Sequence, residues 1–414
     1  MNDYAYTNPL VRLLARLVDA LGYGLTFWQR RNRPVDAHRI FKILIIKLDH
    51  LGDCFLMTPL LECLAQLFPG VRIDVLCQEV TRPVFENHPR VSEIITYNYS
   101  RAWRGGGRRA GWLETLRLFR LVRSRRYSLA IDPRGEPLAA LLGLWSGARY
   151  RIGFEREEVG GFLYTYLLRY DPAAHETERY RVILGALQAG SYKTHTSYRS
   201  YTTNKTDRTP RQGSGQADTT DFGKEWQPRI YLTPEETEKI QALIARELPG
   251  PFWAVHPGSG VPYKQWPAEY FAQAIRQLLP QNNFEFVLLG GQSDQKICAA
   301  IKDQVNSERV KILAGELDLR ETYGLLSLAR GFLGNDSVLA HMSGALGVPT
   351  IEIMSGMVLQ SRWRALGPKV KVLVGRDPAH ACNLGGCYPC PHLRAVTAAA
   401  VISELAELGL RQIP

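Results

Sequence analysis

The chain has 414 residues, 45% of them hydrophobic and 22% charged, the proportions of a soluble globular protein with room for two or three domains. No uncharged apolar run approaches the ~20 residues that cross a bilayer as a helix, which excludes a helical integral membrane protein. The net charge of +11 points to an anionic partner: a phosphorylated sugar or lipid, a membrane face, or nucleic acid.

Residues 1–38 precede the first strand. Leu10, Leu13, Leu14, Leu17, Leu21 and Leu25 share one helical face, with Arg12 and Arg16 off it. This is an N-terminal amphipathic extension that either lies in a membrane interface or covers the protein's own surface. Asp3, Arg12, Arg16 and Asp19 interrupt any signal-peptide pattern. Four of the seven cysteines fall in expected strands and helices as buried thiols. Both observations give the expectation of a cytoplasmic protein.

An alternation of strands and helices then begins. Ile43–Ile46 reads as a buried strand, followed by Lys47, a turn with Gly52, and a helix pattern from Asp53 through Phe55, Leu56, Leu60, Leu61 and Leu64. Asp53 is either the cap of that helix or a general base at the carboxyl end of a sheet, where ligands bind. Further strands are expected at Val71–Leu76, Glu93–Tyr97 and Leu129–Asp132, with helices at 55–68, 80–86, 113–123 and 138–145. Between them runs a basic stretch that includes Arg101, Arg104, Arg108, Arg109, Arg117, Arg120 and Arg123, opposed only by Glu114. It is a solvated face or a site for anionic headgroups; no nucleic-acid module accompanies it. Residues 191–225 are rich in Ser, Thr, Gly, Gln and Asp and read as a flexible linker.

A second alternation follows Trp226. Strands are expected at 252–256, 284–289, 310–313, 331–334 and 350–353, and helices at 267–279, 294–305, 319–328 and 339–346, with a last helix at 397–408. Two such blocks imply two doubly wound domains facing a cleft: 39–190, and 226–414 beyond the linker. The second block opens with His256-Pro257-Gly258-Ser259-Gly260 and then Lys264-Gln265-Trp266-Pro267. A glycine turn, a lysine and a helix start can hold a phosphate, or form a plain strand–helix turn. Gly334-Asn335-Asp336-Ser337 again ends a strand and starts a helix, with His341 one turn further on and Gly344 and Gly347 toward its end. His341 is either structural or a ligand contact, and the glycines imply close packing of the helix on its neighbour.

Together these pieces resemble glycosyltransferase family 9, the heptosyltransferases of lipopolysaccharide core assembly. The resemblance rests on Ile45-Ile46-Lys47, Leu51-Gly52-Asp53 and Thr58-Pro59; on Asp132-Pro133-Arg134-Gly135 with Arg151-Ile152-Gly153-Phe154; and on His256–Trp266 and Gly334–Pro349, in that order. It implies an α/β fold of the GT-B type, with two Rossmann-like domains, and an inverting glycosyltransferase with neither metal nor cofactor. The first domain would bind a lipid-linked oligosaccharide acceptor at the cytoplasmic face of the inner membrane, and the second a nucleotide-sugar donor such as ADP-heptose. Asp53 matches the position of the base, Lys264 the lysine on the donor phosphates, and Asp336, Ser337 and His341 the nucleotide-binding turn and its helix; Ser259 and Gly260 belong with them. Lys47, Arg104, Arg108 and Arg109 are the candidates for acceptor binding. One departure is Val338, where the family commonly has glycine.

Cys382, Cys387 and Cys390, with His380 and His392, offer either a zinc set or a loop of thiols, and members of the family often carry such a sequence without a required metal. The same pair of domains would also suit a nucleotide-sugar epimerase, which needs no acceptor. A third reading is a membrane-associated scaffold that keeps the fold without the chemistry.

Overall fold

The alternation of strands and helices builds two parallel sheets. The computed structural model describes residues 22–24, 35–98, 110–155, 160–171, 173–188, 226–281, 283–377 and 390–408. The first sheet holds β1 (Lys42–Lys47), β2 (Arg72–Cys77), β3 (Val91–Thr96), β4 (Leu129–Ile131), β5 (Tyr150–Phe154) and β6 (Tyr166–Leu168), in the order β3-β2-β1-β4-β5-β6. The second holds β7 (Phe252–His256), β8 (Glu285–Leu288), β9 (Val310–Ile312), β10 (Gly331–Asn335), β11 (Thr350–Ser355) and β12 (Val370–Gly375), in the order β12-β11-β10-β7-β8-β9. Parallel strands are covered on both faces, so their sequences are unbroken apolar runs rather than alternating ones. Ile43, Leu44 and Ile45 are completely buried, and β5 and β7 are buried along their whole lengths.

Each sheet starts in its middle and winds outward first one way, then the other. The reversal falls between β1 and β4 in the first sheet and between β7 and β10 in the second. The strands on either side of a reversal send their following loops apart, which opens a crevice at their carboxyl ends. Both candidate motifs therefore sit where the topology makes room for a ligand.

The helix after β1 runs Leu51–Leu67, two residues earlier than the sequence pattern indicates. His50 is its cap residue and makes no side-chain cap bond, so Asp53 lies in the first turn and does not cap the helix. Gly52 misleads because it reads as a turn, yet the first helical turn tolerates it. Pro59 cannot donate to the Phe55 carbonyl, and the Thr58 hydroxyl donates to it instead at 2.9 Å. That hydroxyl also accepts from the Arg229 N–H at 3.0 Å, which ties the chain entering the second sheet to the first.

Strands β5, β6 and β12 and the helices Glu176–Gln188 and Pro234–Glu247 are present beyond the elements expected from sequence. The tail helix forms at Ala398–Glu407, and Trp266 Nε1 donates to the Val396 carbonyl beside it at 2.8 Å. Gly344 does pack closely: a Cβ there would meet the Leu366 carbonyl at 2.7 Å. Most of the N-terminal extension and all of the 191–225 linker lie outside the described residues. No helix among the described residues is long and apolar enough to cross a membrane.

Arg320, buried at the start of the helix Leu319–Leu328, joins the two halves. Its guanidinium donates to the Pro83 and Glu86 carbonyls of the first half, each at 3.0 Å, and to Glu236 at 2.6 and 2.7 Å in the second. Arg320→Met should therefore lower the unfolding free energy by about 2–4 kcal/mol, since it strands the Pro83, Glu86 and Tyr231 carbonyls and the Glu236 carboxylate. Denaturant titration checks this, and a loss below about 0.5 kcal/mol would show that these bonds hold nothing together.

Candidate active site

The crevice of the first sheet is lined by charge. Lys47, the last residue of β1, is wholly buried, and its ammonium contacts Asp49 at 3.0 Å. Arg134, in the loop after β4, donates to the other oxygen of Asp49 and also pairs with Glu136 at 2.9 Å. Burial opposes charge on Asp49, but Lys47 and Arg134 overcome it and hold its pKa well below the ordinary carboxylate value. Burial likewise opposes charge on Lys47, and Asp49, Tyr180, Asp53 and Glu176 together raise its pKa well above the ordinary lysine value. A wholly buried, paired Lys47 offers an acceptor no surface. Its contact is with Asp49 and its influence on Asp53 is electrostatic.

Asp53 is 9% exposed, and its carboxyl makes no hydrogen bond among the described residues. Its backbone carbonyl is held by the Tyr180 hydroxyl at 3.1 Å, which fixes the residue from the helix Glu176–Gln188. Burial and the neighbouring Asp49 push its pKa up to about 8, with Glu176 adding to the rise and Lys47 and Arg134 opposing it. Two carboxylates so placed cannot share the available cations equally; Asp49 takes the charge and Asp53 keeps the proton.

Asp132, after β4, organises the adjoining loop. It accepts from the N–H groups of Arg134, Gly135 and Glu136 at 2.9, 2.8 and 2.9 Å, and from the Tyr164 hydroxyl. Gly153 is required for that last bond, because a Cβ there would lie 2.3 Å from the Tyr164 ring.

The crevice of the second sheet is built from the turns after β7 and β10. Lys264 Nζ meets Asp336 Oδ2 at 2.6 Å, so two expected site residues pair directly. Ser337 does not cap the helix Val338–Ala345 with its side chain; its hydroxyl lies 3.0 Å from His256 Nδ1. His256 Nε2 is 3.6 Å from Asp294, whose carboxylate fills the space beside Gly258 so closely that a Cβ there would collide at 2.3 Å. Asn335 donates to the Pro257 and Gly258 carbonyls at 2.8 and 3.2 Å and stitches the two turns together. Ser259 Oγ accepts from Val261 N–H at 3.4 Å, and Gly260 is exposed at the mouth. Val338 turns its bulk onto the hydrophobic core.

His341 joins the two crevices. Its ring lies against Gly52, where a Cβ would be 3.5 Å from His341 Cδ2. The helix Val338–Ala345 thus rests on the residue next to Asp53. Burial pushes the His341 pKa down to about 4, against an opposing effect of Asp336, so the imidazole is neutral near pH 7. Its buried Nδ1 has no hydrogen-bond partner among the described residues.

Asp49, Arg134, His256, Asp294 and Glu352 shape the site but are not among the residues singled out from sequence. Glu352 left a readable signal, a carboxylate in the apolar strand Thr350-Ile351-Glu352-Ile353. One of its oxygens accepts from Ala365 N–H at 2.7 Å, and burial and Asp336 raise its pKa well above the ordinary glutamate value. Arg104, Arg108, Arg109, Cys382 and Cys387 lie outside the described residues. Cys390 is buried as a free thiol, and no group of metal-binding side chains forms among the described residues.

The sequence model of glycosyltransferase family 9 (heptosyltransferase) matches residues 115–387. Lipooligosaccharide heptosyltransferase 2 of Haemophilus ducreyi is 24% identical over 318 residues, covering 74% of this chain and 81% of that one. Lipopolysaccharide heptosyltransferase 3 of Escherichia coli K12 is 23% identical over 308 residues, covering 73% and 79%. Among solved structures, E. coli ADP-heptose LPS heptosyltransferase II superposes with a TM-score of 0.64 at 22% identity, over 89% of this chain and 98% of that one. A family 9 glycosyltransferase from Veillonella parvula gives 0.67 at 18% identity, over 90% and 98%. The E. coli heptosyltransferase WaaC with ADP gives 0.62 at 17%, over 89% and 100%. The fold is that of these GT-B enzymes.

The two carboxylates predict opposite stability profiles. Asp53 has a folded pKa above its unfolded value, so its ionisation costs stability progressively as pH rises from about 4 toward 8. Asp53→Asn should raise the melting temperature, by an amount that grows over that interval. Asp49 has a depressed pKa, so its contribution is present above about pH 4 and fades as pH falls further. Asp49→Asn should lower the melting temperature at neutral pH and lose that effect in acid. Parallel profiles for the two variants would contradict the assignment.

Proposed function

The chain belongs to glycosyltransferase family 9, and from that premise we propose that it moves heptose, or a related sugar, from a nucleotide-sugar to a lipopolysaccharide core or other lipid-linked acceptor. ADP-heptose is the donor we propose, because the named relatives are heptosyltransferases and one of the solved structures holds ADP. The proposed reaction inverts the anomeric carbon and uses neither metal nor cofactor.

The observation that carries this reading is the packing of Gly52, the neighbour of Asp53, against His341 of the helix Val338–Ala345. A buried carboxyl with no hydrogen bond among the described residues stands on one side of the cleft, and the polar turns of Lys264 and Asp336 stand on the other. An acceptor hydroxyl attacks the anomeric carbon, and the bond from that carbon to the diphosphate oxygen breaks with its electron pair leaving on the phosphate. The hydroxyl proton passes to Asp53. A base with a pKa near the working pH is efficient in this step, because it is both available and strong enough to take the proton. Charge developing on the diphosphate is stabilised by Lys264, by backbone N–H groups around Ser259 and Gly260, and by the helix start at Ser337. Asp336 holds the Lys264 ammonium at that position before the donor arrives.

Transfer from ADP-heptose, followed across pH, tests the roles. Wild type should rise through an apparent pKa near 8, and Asp53→Asn should lose about 10²–10⁴ of the rate. Near-normal transfer by that variant would remove Asp53 from the chemistry. A chelator should leave the wild-type rate unchanged; loss with recovery on adding a divalent cation would overturn the metal-free mechanism.

A further inference from the structure

Two neighbouring helices of the first domain carry the wrong residues for a water-facing surface. Trp112–Ser124 and Pro137–Trp145 cover one face of the first sheet, burying Leu118, Val122 and Leu142 against Leu44 and Ile46. Their outward faces should be polar. Instead Trp112 is 72% exposed and Trp145 53%, with Leu113, Leu116, Leu141 and Leu144 exposed beside them. Most of the large apolar side chains that reach solvent among the described residues are on these two helices. The two faces are continuous, since the Phe119 and Trp145 rings meet edge-on with centroids 5.7 Å apart.

Arginine is interleaved with this apolar surface. Arg117, Arg120 and Arg123 are exposed on the same side of the first helix, and Arg149 is exposed beyond the second. Trp112 and Leu116 share the outward face with Arg120 and Arg123, at helical spacing. The acid of that helix, Glu114, is spent on the helix start, where it accepts from Gly111 N–H at 2.8 Å. An exposed face with tryptophans and leucines between arginines that have no acidic partner among the described residues has the composition of an interfacial helix: the indoles and leucines enter the acyl boundary while the guanidiniums meet phosphate. A second copy of the chain fits poorly, because two such faces would bring their arginines together.

We infer that the outward face of Trp112–Ser124 and Pro137–Trp145 docks on an anionic lipid bilayer. The surface belongs to the domain that carries Asp53, and it lies on the opposite face of the sheet from the helix Leu51–Leu67. Docking there leaves the cleft uncovered while holding the acceptor domain at the membrane. It deepens the proposed use of a lipid-linked acceptor but is tested without any transfer reaction.

The measurement is cosedimentation of the full chain with vesicles of phosphatidylcholine, with and without phosphatidylglycerol. Wild type should bind the anionic vesicles and bind the neutral ones far more weakly. Trp112→Ser combined with Leu116→Ser should remove most of the binding, with an unchanged melting temperature because both side chains are exposed. Arg120→Gln and Arg123→Gln should each lower the partition to anionic vesicles about fivefold and leave the weak neutral binding as it is. Binding unaffected by all of these substitutions would overturn the inference. So would a concentration-dependent dimer, by analytical ultracentrifugation, that the Trp112 and Leu116 variant abolishes while wild type ignores vesicles. A chain that binds vesicles but transfers no heptose would refute the proposed reaction and leave the docking face intact.

Discussion

The site depends on competition between two carboxylates for buried positive charge. Lys47 ends β1 with no access to water, and its ammonium requires a partner. Asp49 supplies it, and Arg134 reaches over from the loop after β4 to the other carboxylate oxygen. With both cations committed to Asp49, Asp53 is left in a buried position without a counter-ion of its own. Burial is the first cause of its high pKa, and the negative charge kept on Asp49 by the two cations adds to it. The residue that resembles the family's base is tuned by Asp49, a buried carboxylate paired with two cations.

The fold makes this arrangement possible by placing two topological reversals against each other. The crevice between β1 and β4 presents Asp49, Asp53 and Arg134, and the crevice between β7 and β10 presents His256, Lys264 and Asp336. Gly52 faces the His341 ring, and a Cβ there would meet it at an ordinary contact distance of 3.5 Å, so the His341 helix packs directly beside the first turn that carries Asp53. Around this contact, Tyr180 holds the Asp53 backbone, Arg229 binds Thr58, and Arg362 reaches Glu176 at 3.4 Å. The halves are joined by directed bonds at the cleft's edge as well as by apolar packing.

Much of the architecture was legible in the sequence because parallel strands leave apolar runs bounded by turns. The central strands β1, β7 and β10 are readable for that reason, and the motifs at their ends follow. Strand β5 was hidden by Arg151 and Gly153, which interrupt Tyr150-Arg151-Ile152-Gly153-Phe154. The structure explains both: Arg151 bonds the Leu163 and Ala148 carbonyls at 2.7 and 3.0 Å, and Gly153 makes room for Tyr164. Strand β6 has three residues, too few for a periodic signal. The helix Pro234–Glu247 is absent from the sequence reading although a signal for it is there, Thr233 and Glu236 as a capping box with proline following the cap. In the site, Asp53, Lys264, Asp336 and His341 could be picked out, but the pairing of Lys264 with Asp336 and the burial of Lys47 are tertiary facts. Arg134 lies inside the Asp132–Gly135 motif and Asp49 between Lys47 and Leu51, yet only the fold brings them together.

The central claim is that Asp53 carries a proton at neutral pH because it is buried beside Asp49, which keeps its charge by holding the nearby cations. Difference infrared spectroscopy of the carbonyl stretch of protonated carboxyl groups, comparing wild type with Asp53→Asn across pH, reads this directly. The account predicts a band specific to wild type that persists at pH 7 and disappears through about pH 8, and that moves to lower pH in Asp49→Asn, where Lys47 and Arg134 are released to face Asp53. A wild-type Asp53 already ionised at pH 5, or a titration unmoved by Asp49→Asn, would contradict it.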